Sequence, residues 1–541
     1  MAKIAIINPR FEISFWGLEH CMPLFGKKAN LPVANLALLA ALAPKHHDVT
    51  LIDENVEDLD FDRVAEADLV CLTGMSIQGR RLIEIAETLK ARGVTVVVGG
   101  PMATVEPETL DGVADVIFVG EADETWPQFL AEWEQGRHKR RYEQQDKTDV
   151  TKLPLPRIDL LKVDRYMFGS MQISRGCPFT CEFCDIIVTF GRKPRLKTSE
   201  QVLAELEAFR RAGFRIVFVV DDNLIGNKKA IKPILRDIVR WQQERGYPLT
   251  LFTEASLDLA EDEELMELMG LADFQNVFIG IETPNEESLR ETKKLQNVRP
   301  KAGTLIERVD RVRQHGIDVW CGMIVGFDHD DPSIFDVMPK FLVDARISAA
   351  LISMLHAIPT TPLFDRLKRE NRLHDDDAGD VFGTNVIPLG MSPAELRDGF
   401  MKVTQECYSA DSYFGRLDAQ FLDEGFRFTV HHLPYWNDHR WAWAKRCFLN
   451  YCRFAVVASR LLLIVDDQKL RLRYKEQLSR IVRARWREPH ILFTYAIKTA
   501  IHFHYAAIAR ALLISQREGG ALPEAGRSFS RVRRQEKAAA A

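Results

Sequence analysis

The sequence has few cysteines, no long uninterrupted apolar run and little net charge, and each shortage excludes a class of protein. Nine cysteines among 541 residues are thinly spread and odd in number, which argues against a disulfide framework and favours a reducing cytoplasm. The N-terminus lacks an apolar segment of signal-peptide length, and no run reaches about 18 apolar residues. We therefore expect a soluble or peripherally attached chain in the cytoplasm.

The net charge of −5 conceals an asymmetry along the chain. Residues 441–541 contain 20 Lys/Arg and 7 Asp/Glu, which leaves a net charge of −18 for residues 1–440. Within the basic part, residues 453–465 and 491–513 combine an apolar face with basic side chains, as helices on the anionic inner face of a membrane do. A helical bundle packed on the rest of the protein is the alternative. Nucleic acid is not an expected partner, because the aromatic residues lie among aliphatic ones.

The chain is long enough for two to four domains. Residues 1–148 alternate short apolar strands, such as KIAIINP and VTVVVGG, with amphipathic helices. This α/β rhythm predicts a Rossmann-like, doubly wound parallel sheet. The proline-bearing residues 149–165 then form a predicted linker.

A second βα series follows in residues 166–388. Its six strand signals predict a partial (β/α)6 TIM-like barrel, whose working face is the carboxyl edge of the strands. Between the first two strands, Thr198 or Ser199 is expected to cap a helix that Gly213 ends. Strand signals fade beyond about 390, and residues 389–541 are predicted to form a mostly α-helical, basic domain.

Three cysteines, Cys177, Cys181 and Cys184, form a tight triplet in SRGCPFTCEFCDI. A structural zinc site takes four ligands, and no CxxC or HxxxH partner lies near this cysteine triplet. A disulfide would leave the third thiol unpaired. An iron–sulfur cluster remains, because thiolates hold such clusters and a missing fourth protein ligand leaves one iron free to bind another molecule.

The C-x3-C-x2-C spacing, with Phe183 directly before the last cysteine and a strand before the whole element, resembles the radical S-adenosylmethionine (SAM) superfamily. The resemblance implies that the cysteine triplet ligates a [4Fe–4S] cluster and that SAM chelates its fourth iron. It also implies that Phe183 lies at the cofactors.

Two later strand ends extend this resemblance. VFIGIETPNEES places Gly280 and Glu282 where the family contacts the SAM ribose, and GMIVG, from Gly322 to Gly326, matches the start of its adenine motif. The acidic residue that closes this motif in the family is His329 here. A Gly-Ile-Glu after a strand is by itself more often a turn than a ligand contact, so the interpretation depends on the shared barrel edge.

The glycine–glycine–glutamate that the family carries after the second barrel strand is replaced by VVDDN, residues 219–223. Asp221, Asp222 and Asn223 are the candidates for the SAM amino group. A helix cap or a solvated loop is the alternative.

The first domain resembles cobalamin-binding domains in TGMSIQG, VVVGGP and GEADE, each of which follows a strand. Small residues at strand ends let a large nucleotide tail approach the backbone. The candidates for contacts to this tail are Ser76, Gly99, Gly100, Gly120 and Glu121. An ordinary tight turn is the alternative for each glycine pair.

The loop after the first strand, residues 8–17, contains no histidine, although cobalamin domains of the methionine-synthase type place a cobalt ligand there. His20 comes later and is expected to be structural. By resemblance to cobalamin-dependent radical SAM enzymes, we expect cobalt without a protein imidazole.

Together, these parts resemble cobalamin-dependent radical SAM methyltransferases, and the segments FGRKPRLKTSEQVLAELE, DDNLIGN and IPTTPLFDRL resemble the hopanoid C-2 methylase group. The resemblance implies that one SAM is cleaved to a 5′-deoxyadenosyl radical, that methylcobalamin methylates an unactivated carbon, and that a second SAM remethylates cobalt. It further implies a polycyclic lipid or other small-molecule substrate and a reductant such as ferredoxin or flavodoxin.

Three alternative functions share some of these features. A methylthiotransferase acting on RNA would need a further cluster domain, for which only Cys21 and Cys71 are available near the N-terminus. A cobalamin-dependent cyclase or oxidoreductase of tetrapyrrole or other natural-product biosynthesis shares the architecture. A non-catalytic cobalamin or redox sensor would use the same cofactors without turnover.

Overall fold

The structure is a computed structural model that describes residues 1–299, 302–374, 381–428 and 430–517. Its strands are β1 Lys3–Asn8, β2 Asp48–Asp53, β3 Leu69–Thr73, β4 Thr95–Gly99, β5 Val116–Val119, β6 Arg141–Glu143, β7 Gly169–Met171, β8 Ser174–Arg175, β9 Arg195–Leu196, β10 Ile216–Val219, β11 Thr250–Ala255, β12 Phe274–Glu282, β13 Asp318–Val325 and β14 Ala350–Met354. Its helices are α1 Ala34–Leu42, α2 Phe61–Val64, α3 Gly79–Ala91, α4 Pro101–Val105, α5 Thr125–Trp133, α6 Ile186–Thr189, α7 Ser199–Ala212, α8 Lys228–Glu244, α9 Glu263–Leu271, α10 Glu286–Glu291, α11 Leu305–Gln314, α12 Ile334–Asp344, α13 Pro362–Arg369, α14 Pro393–Cys407, α15 Ala410–Asp418, α16 Leu433–Asp438, α17 Arg440–Ile464, α18 Gln468–Arg485 and α19 Pro489–Arg517.

The first sheet is parallel throughout, with the strand order β2-β1-β3-β4-β5-β6. Because β1 lies between β2 and β3, the winding reverses there and opens a crevice at the carboxyl edge. The predicted Rossmann-like sheet is confirmed. Strand β6 was not predicted, since its single buried residue, Tyr142, lies between exposed Arg141 and Glu143 in a highly charged segment.

The second sheet has the order β7-β10-β11-β12-β13-β14, also parallel, and its two ends do not pair with each other. It is the partial barrel that the sequence predicts. Helix α7 begins and ends as expected: the Thr198 side chain accepts a hydrogen bond from the backbone of Gln201, and Gly213 ends the helix at φ +100°. The short strand β8, just before the cysteine triplet, pairs antiparallel with β9, which follows the triplet.

The C-terminal part is helical, as predicted, but its two long helices differ in burial. Helix α19 packs against α14, α17 and α18, and residues such as Tyr495 and Tyr505 belong to the same core as the barrel. For residues 491–513 the bundle alternative therefore holds, because their apolar side chains already have protein neighbours. The basic end RVRRQEKAAAA lies outside the described residues, and the domain boundaries near 148, 165 and 388 stay predictions.

Helix α17 exposes large apolar side chains to solvent. The exposed fractions are 90% for Trp441, 66% for Phe448 and 79% for Leu463. Among the described residues, α17 is the one helix that is long and apolar enough to cross a membrane by length and composition. It contains five basic residues and no acidic one.

Candidate active site

The cysteine triplet lies in the loop between β8 and α6, at the carboxyl edge of the barrel. Gly176 turns the chain into this loop at φ +94°, and a Cβ there would lie 2.8 Å from the carbonyl oxygen of Gly191. Cys177 closes the turn by donating its backbone N–H to the same oxygen at 3.2 Å. Glycine is therefore required immediately before the first cysteine.

The environment of the cysteine triplet fits an iron–sulfur cluster. All three cysteines are free thiols, and amide groups point at two of the sulfurs: Asn223 Nδ2 lies 3.8 Å from Cys177 Sγ and Gln296 Nε2 lies 3.4 Å from Cys181 Sγ. Burial raises the pKa of the Cys184 thiol to about 12. Thiolates at this place consequently need a positive charge close by, which iron supplies when it is bound.

Lys294 is the protein's own cation at the cysteine triplet, and the sequence analysis missed it. Its ammonium lies 2.6 Å from Glu282 Oε1, and it is positioned 5.9 Å from the centre of the Phe183 ring. Burial favours its neutral form, but Glu282 and the thiols of Cys181 and Cys184 together raise its pKa above the ordinary value. No spacing signal marks this lysine, which follows α10 in an otherwise polar turn.

The candidates after β10 divide into one structural residue and two that contact the cysteine loop. Asp221 accepts hydrogen bonds from the backbone of Ile173 and Ser174 at 2.7 and 2.8 Å, so it holds the start of the loop. Asp222 accepts from the Gly176 N–H at 2.8 Å, and burial raises its pKa to about 6. Their assignment to the SAM amino group stays a prediction.

Asn223 is held by two bonds to Ser256, one from its side-chain amide to the hydroxyl at 3.0 Å and one from the Ser256 N–H to its Oδ1 at 3.2 Å. These bonds orient the amide toward Cys177. Glu254, at the end of β11, is a further acidic residue that the sequence analysis did not name. Burial, followed by repulsion from Asp222 and Asp221, raises its pKa to about 8.

The candidate SAM-contact residues of β12 and β13 lie together around the Glu282 carboxylate. A Cβ on Gly280 would lie 2.2 Å from Glu282 Oε1, and a Cβ on Gly322 would lie 4.0 Å from Glu282 Oε2. The Glu282 backbone is left-handed at φ +68°, which turns its carboxylate back beside Lys294. The two glycines therefore leave the room that the side chains of Glu282, Lys294 and Phe278 occupy at the barrel edge.

The loop after β13 explains the missing acid at position 329. Asp330, one residue later, accepts hydrogen bonds from the N–H groups of Gly326 and Phe327 at 3.0 and 3.1 Å. His329 points instead toward Glu287 and Glu291, at 3.8 and 3.6 Å. The acidic contact that shapes this loop is thus present, displaced by one residue.

The candidate cobalamin residues follow β3, β4 and β5 at one edge of the first sheet. Ser76 is exposed and donates to Glu106 at 3.0 Å. Gly100 adopts φ +92° and packs so closely on Thr73 that a Cβ would lie 2.5 Å from its hydroxyl, whereas a Cβ on Gly120 would meet nothing nearer than 3.9 Å. The backbone of Gly99 and Gly120 is partly exposed at this edge, which fits the close approach of a nucleotide tail.

Glu121 has partners that differ from those expected. Its buried carboxylate accepts hydrogen bonds from the Thr148 N–H at 2.8 Å, from Arg175 at 2.9 Å and from Arg195 at 3.0 and 3.1 Å. Arg175 and Arg195 lie on β8 and β9, and Arg175 precedes Cys177 by two residues. Glu121 thus ties the first sheet to the cysteine loop.

His20 lies beside His504, with ring centres 5.3 Å apart, and its backbone N–H donates to His504 Nδ1 at 3.2 Å. Burial lowers the pKa of His20 to about 4, so the ring is neutral at physiological pH. This packing agrees with a structural histidine, and cobalt without a protein imidazole stays a prediction.

Comparison with known proteins places these features in a family. Residues 171–341 match the radical SAM superfamily, residues 28–130 match the B12-binding domain, and residues 361–518 match a domain of unknown function. An uncharacterized methyltransferase of Synechocystis is 41% identical over 78% of this chain and 79% of its own. The hopanoid C-2 methylase of Rhodopseudomonas palustris is 37% identical over 77% of this chain and 79% of its own.

The chain belongs to the cobalamin-dependent radical SAM methyltransferases. This methyltransferase has the fold of the cobalamin-dependent radical SAM enzyme OxsB, with a TM-score of 0.60 over 96% of this chain and 81% of the other at 14% identity. It also has the fold of the methyltransferase TsrM from Kitasatospora setae, with a TM-score of 0.57 over 82% and 89% at 17% identity.

The methyltransferase is an enzyme that uses a [4Fe–4S] cluster, SAM and cobalamin, as the cysteine triplet and the first sheet predicted. Like radical SAM enzymes generally, it needs a reductant and acts on a small molecule or a lipid. The sensor alternative is thereby set aside. The contacts of individual residues with SAM and cobalamin remain predictions.

Proposed function

We propose that this methyltransferase methylates an unactivated carbon of a polycyclic, hopanoid-type lipid at the inner face of the membrane. The observation that carries the proposal is the similarity to the hopanoid C-2 methylase of Rhodopseudomonas palustris over most of both chains. The exposed apolar side chains of α17 support it independently, because an enzyme that takes its substrate from a bilayer needs a surface that contacts lipid.

The bound cofactors supply the radical and the methyl group, and the protein binds and orients them. The cysteine triplet would hold the cluster, with Asn223 and Gln296 donating to its sulfur ligands. Lys294 would offset the negative charge of the thiolates. The glycine-lined carboxyl edges of both sheets would leave room for SAM and for cobalamin, and Glu121 would keep these two edges in a constant relation.

The proposal is tested with the anaerobically reconstituted enzyme, SAM carrying a deuterated methyl group, a flavodoxin or ferredoxin reducing system, and hopanoids in vesicles. We expect release of 5′-deoxyadenosine and one deuterated methyl group on the lipid, measured by mass spectrometry. The variant with alanine at all three positions of the cysteine triplet is the control and should release neither. Labelling of a tetrapyrrole while the hopanoid stays unlabelled would contradict the proposal and favour the tetrapyrrole alternative.

Membrane attachment is proposed through the outward face of α17, which includes Trp441 and Phe448. Apolar side chains on this face would enter the lipid boundary, and the exposed Arg440 and Lys445 would meet anionic head groups. Burial of the exposed part of Phe448 stabilises membrane binding by about 1–2 kcal/mol, so Phe448→Ser should weaken it about tenfold.

The measurement is co-sedimentation with vesicles of phosphatidylglycerol and of phosphatidylcholine. Leu389→Ser is the matched control, since Leu389 is 65% exposed but lies in the loop before α14. Phe448→Ser should lower binding to the anionic vesicles, and Leu389→Ser should not. Equal binding of both variants, or no preference of the unmodified enzyme for anionic vesicles, would contradict attachment through α17.

A further inference from the structure

A large cavity lies at the amino-terminal end of the barrel, on the side opposite the cysteine triplet. Its volume is about 1330 Å³. Thr250 and Phe252 of β11 and Phe278 of β12 line its inner wall, while α17 and α19 close its side. The loop after β1 contributes Trp16. The cavity therefore lies where all three parts of the chain meet.

The inner wall of the cavity is aromatic. The rings of Phe218 and Phe252 are stacked with centres 4.5 Å apart, and Trp16 lies 5.5 Å from both Phe218 and Phe278. Such flat, rigid surfaces favour flat apolar ligands. The volume exceeds the range of about 300–1,000 Å³ that is usual for small-molecule sites. Its size and lining suit a fused-ring hydrocarbon.

The inner end of the cavity adjoins the candidate SAM site. A Cβ on Gly322 would lie 3.2 Å from Phe278 Cζ, so the ring that lines the cavity also lies against this glycine. Gly280 follows Phe278 by two residues on the same strand and therefore faces the same side of the sheet. One aromatic side chain separates the end of the cavity from the ion pair of Glu282 and Lys294.

The cavity wall on α17 is basic. Arg446 and Arg453 lie on its cavity face, and Arg215, just before β10, lies close to Arg453. Arg446 lies 3.4 Å from the carboxylate of Asp273. Burial, together with the repulsion from Arg446 and Arg215, lowers the pKa of Arg453. This surplus of positive charge would attract the phosphates of an anionic bilayer.

Helix α17 brings this basic wall and the proposed membrane surface together. Arg446, Leu449, Arg453 and Val456 follow each other at helical spacing along the cavity, where Leu449 and Val456 remain 40% and 49% exposed. Phe448, 66% exposed, lies on the other side of the helix. The route into the cavity thus begins beside the face that would contact the bilayer. A lipid would pass from the membrane into the cavity without crossing water.

We propose that this cavity binds the apolar ring system of the lipid substrate, which enters from the bilayer along α17 and presents the carbon to be methylated at the Phe278 end. The proposal rests on the proposed function and adds the place and direction of substrate binding. It makes Val456 and Phe278 contacts of the substrate, although both lie far along the chain from the cysteine triplet.

The test uses dehydroergosterol, a fluorescent fused-ring alcohol. Energy transfer to this probe from the cavity tryptophans Trp16, Trp320, Trp436 and Trp443 reports binding. The full-length chain carries the cluster but no cobalamin, since cobalamin absorbs at overlapping wavelengths. Val456→Phe narrows the cavity, and Ala455→Phe, on the exposed side of the same helix, is the matched control.

We expect saturable energy transfer in the unmodified protein and in Ala455→Phe, and at least about tenfold weaker binding in Val456→Phe. Methylation of the lipid should fall in parallel, while reductive SAM cleavage without substrate should stay unchanged. Equal probe binding by the two variants would overturn the cavity assignment and leave the proposed function intact. Saturable probe binding by an enzyme that methylates no lipid would instead overturn the proposed function.

Discussion

Replacing Glu121 with glutamine tests whether the ion pairs of Glu121 hold the first sheet against the cysteine loop. The Glu121 carboxylate receives three charged hydrogen bonds from Arg175 and Arg195 and one from the Thr148 N–H. Glutamine keeps the shape but removes the charge. Arg195 is then left with the carbonyl oxygens of Thr148 and Phe190, whereas Arg175 keeps its bond to Asp123.

The free energy lost in Glu121→Gln follows from the three charged hydrogen bonds of Glu121. A hydrogen bond to a charged group exceeds a neutral one by about 1 kcal/mol, so Glu121→Gln should weaken the contact by about 3 kcal/mol. A local opening reaction then becomes about 100-fold more frequent. Hydrogen exchange measured by mass spectrometry should detect this opening at the Thr148 amide, which donates a hydrogen bond to Glu121, and along β8 and β9.

Glu124→Gln is the control, because Glu124 is a solvent-exposed neighbour of the same loop. It should leave exchange in β8 and β9 unchanged. If Glu121→Gln exchanges like this control, the ion network does not hold the two parts together and the reasoning is refuted. We also expect Glu121→Gln to lose iron faster than the unmodified protein does, because Arg175 lies two residues before Cys177.

Further predictions concern the cluster loop and one buried carboxyl. Alanine at all positions of the cysteine triplet should remove bound iron, whereas Cys452→Ala, at an exposed thiol outside it, should not; iron analysis decides, and a triplet variant that keeps a four-iron centre contradicts the assignment. Gly176→Ala should lower the free energy of unfolding by about 3 kcal/mol, because a Cβ there approaches the carbonyl oxygen of Gly191. Gly93→Ala, at φ +81° in open space, is the control and should lower it by about 1 kcal/mol. Equal thermal midpoints of the two variants would show that the close contact is unimportant. Burial raises the pKa of Glu19 from 4.5 to about 7, so the folded chain retains a proton that the unfolded chain loses above pH 4.5. The free energy of unfolding should therefore fall by about 1–2 kcal/mol as the pH rises from 4.5 to 7, allowing for partial exposure. Urea unfolding of Glu19→Gln should lack this fall. The same pH dependence in Glu19→Gln and the unmodified protein would refute the role of Glu19.

The elements of this protein could be predicted where the signal is local. Several strands, such as β3 and β4, are short apolar runs between polar turns, and a parallel sheet buried on both faces requires such runs. The helix cap at Thr198 and the stop at Gly213 depend on neighbouring backbone atoms alone. The displaced acid at Asp330 was missed because its bonds to Gly326 and Phe327 follow from the loop conformation.

The amino-acid sequence by itself determined the cysteine triplet, the order of the strands along the chain and the open backbone after them, because these depend on residue type and spacing over a few positions. Only the tertiary structure decided that Lys294 and Gln296 meet the triplet, that Glu121 pairs with β8 and β9, and that α19 is buried while α17 is exposed. These contacts join residues far apart in the chain, and an apolar helix face does not specify whether protein, lipid or solvent will cover it.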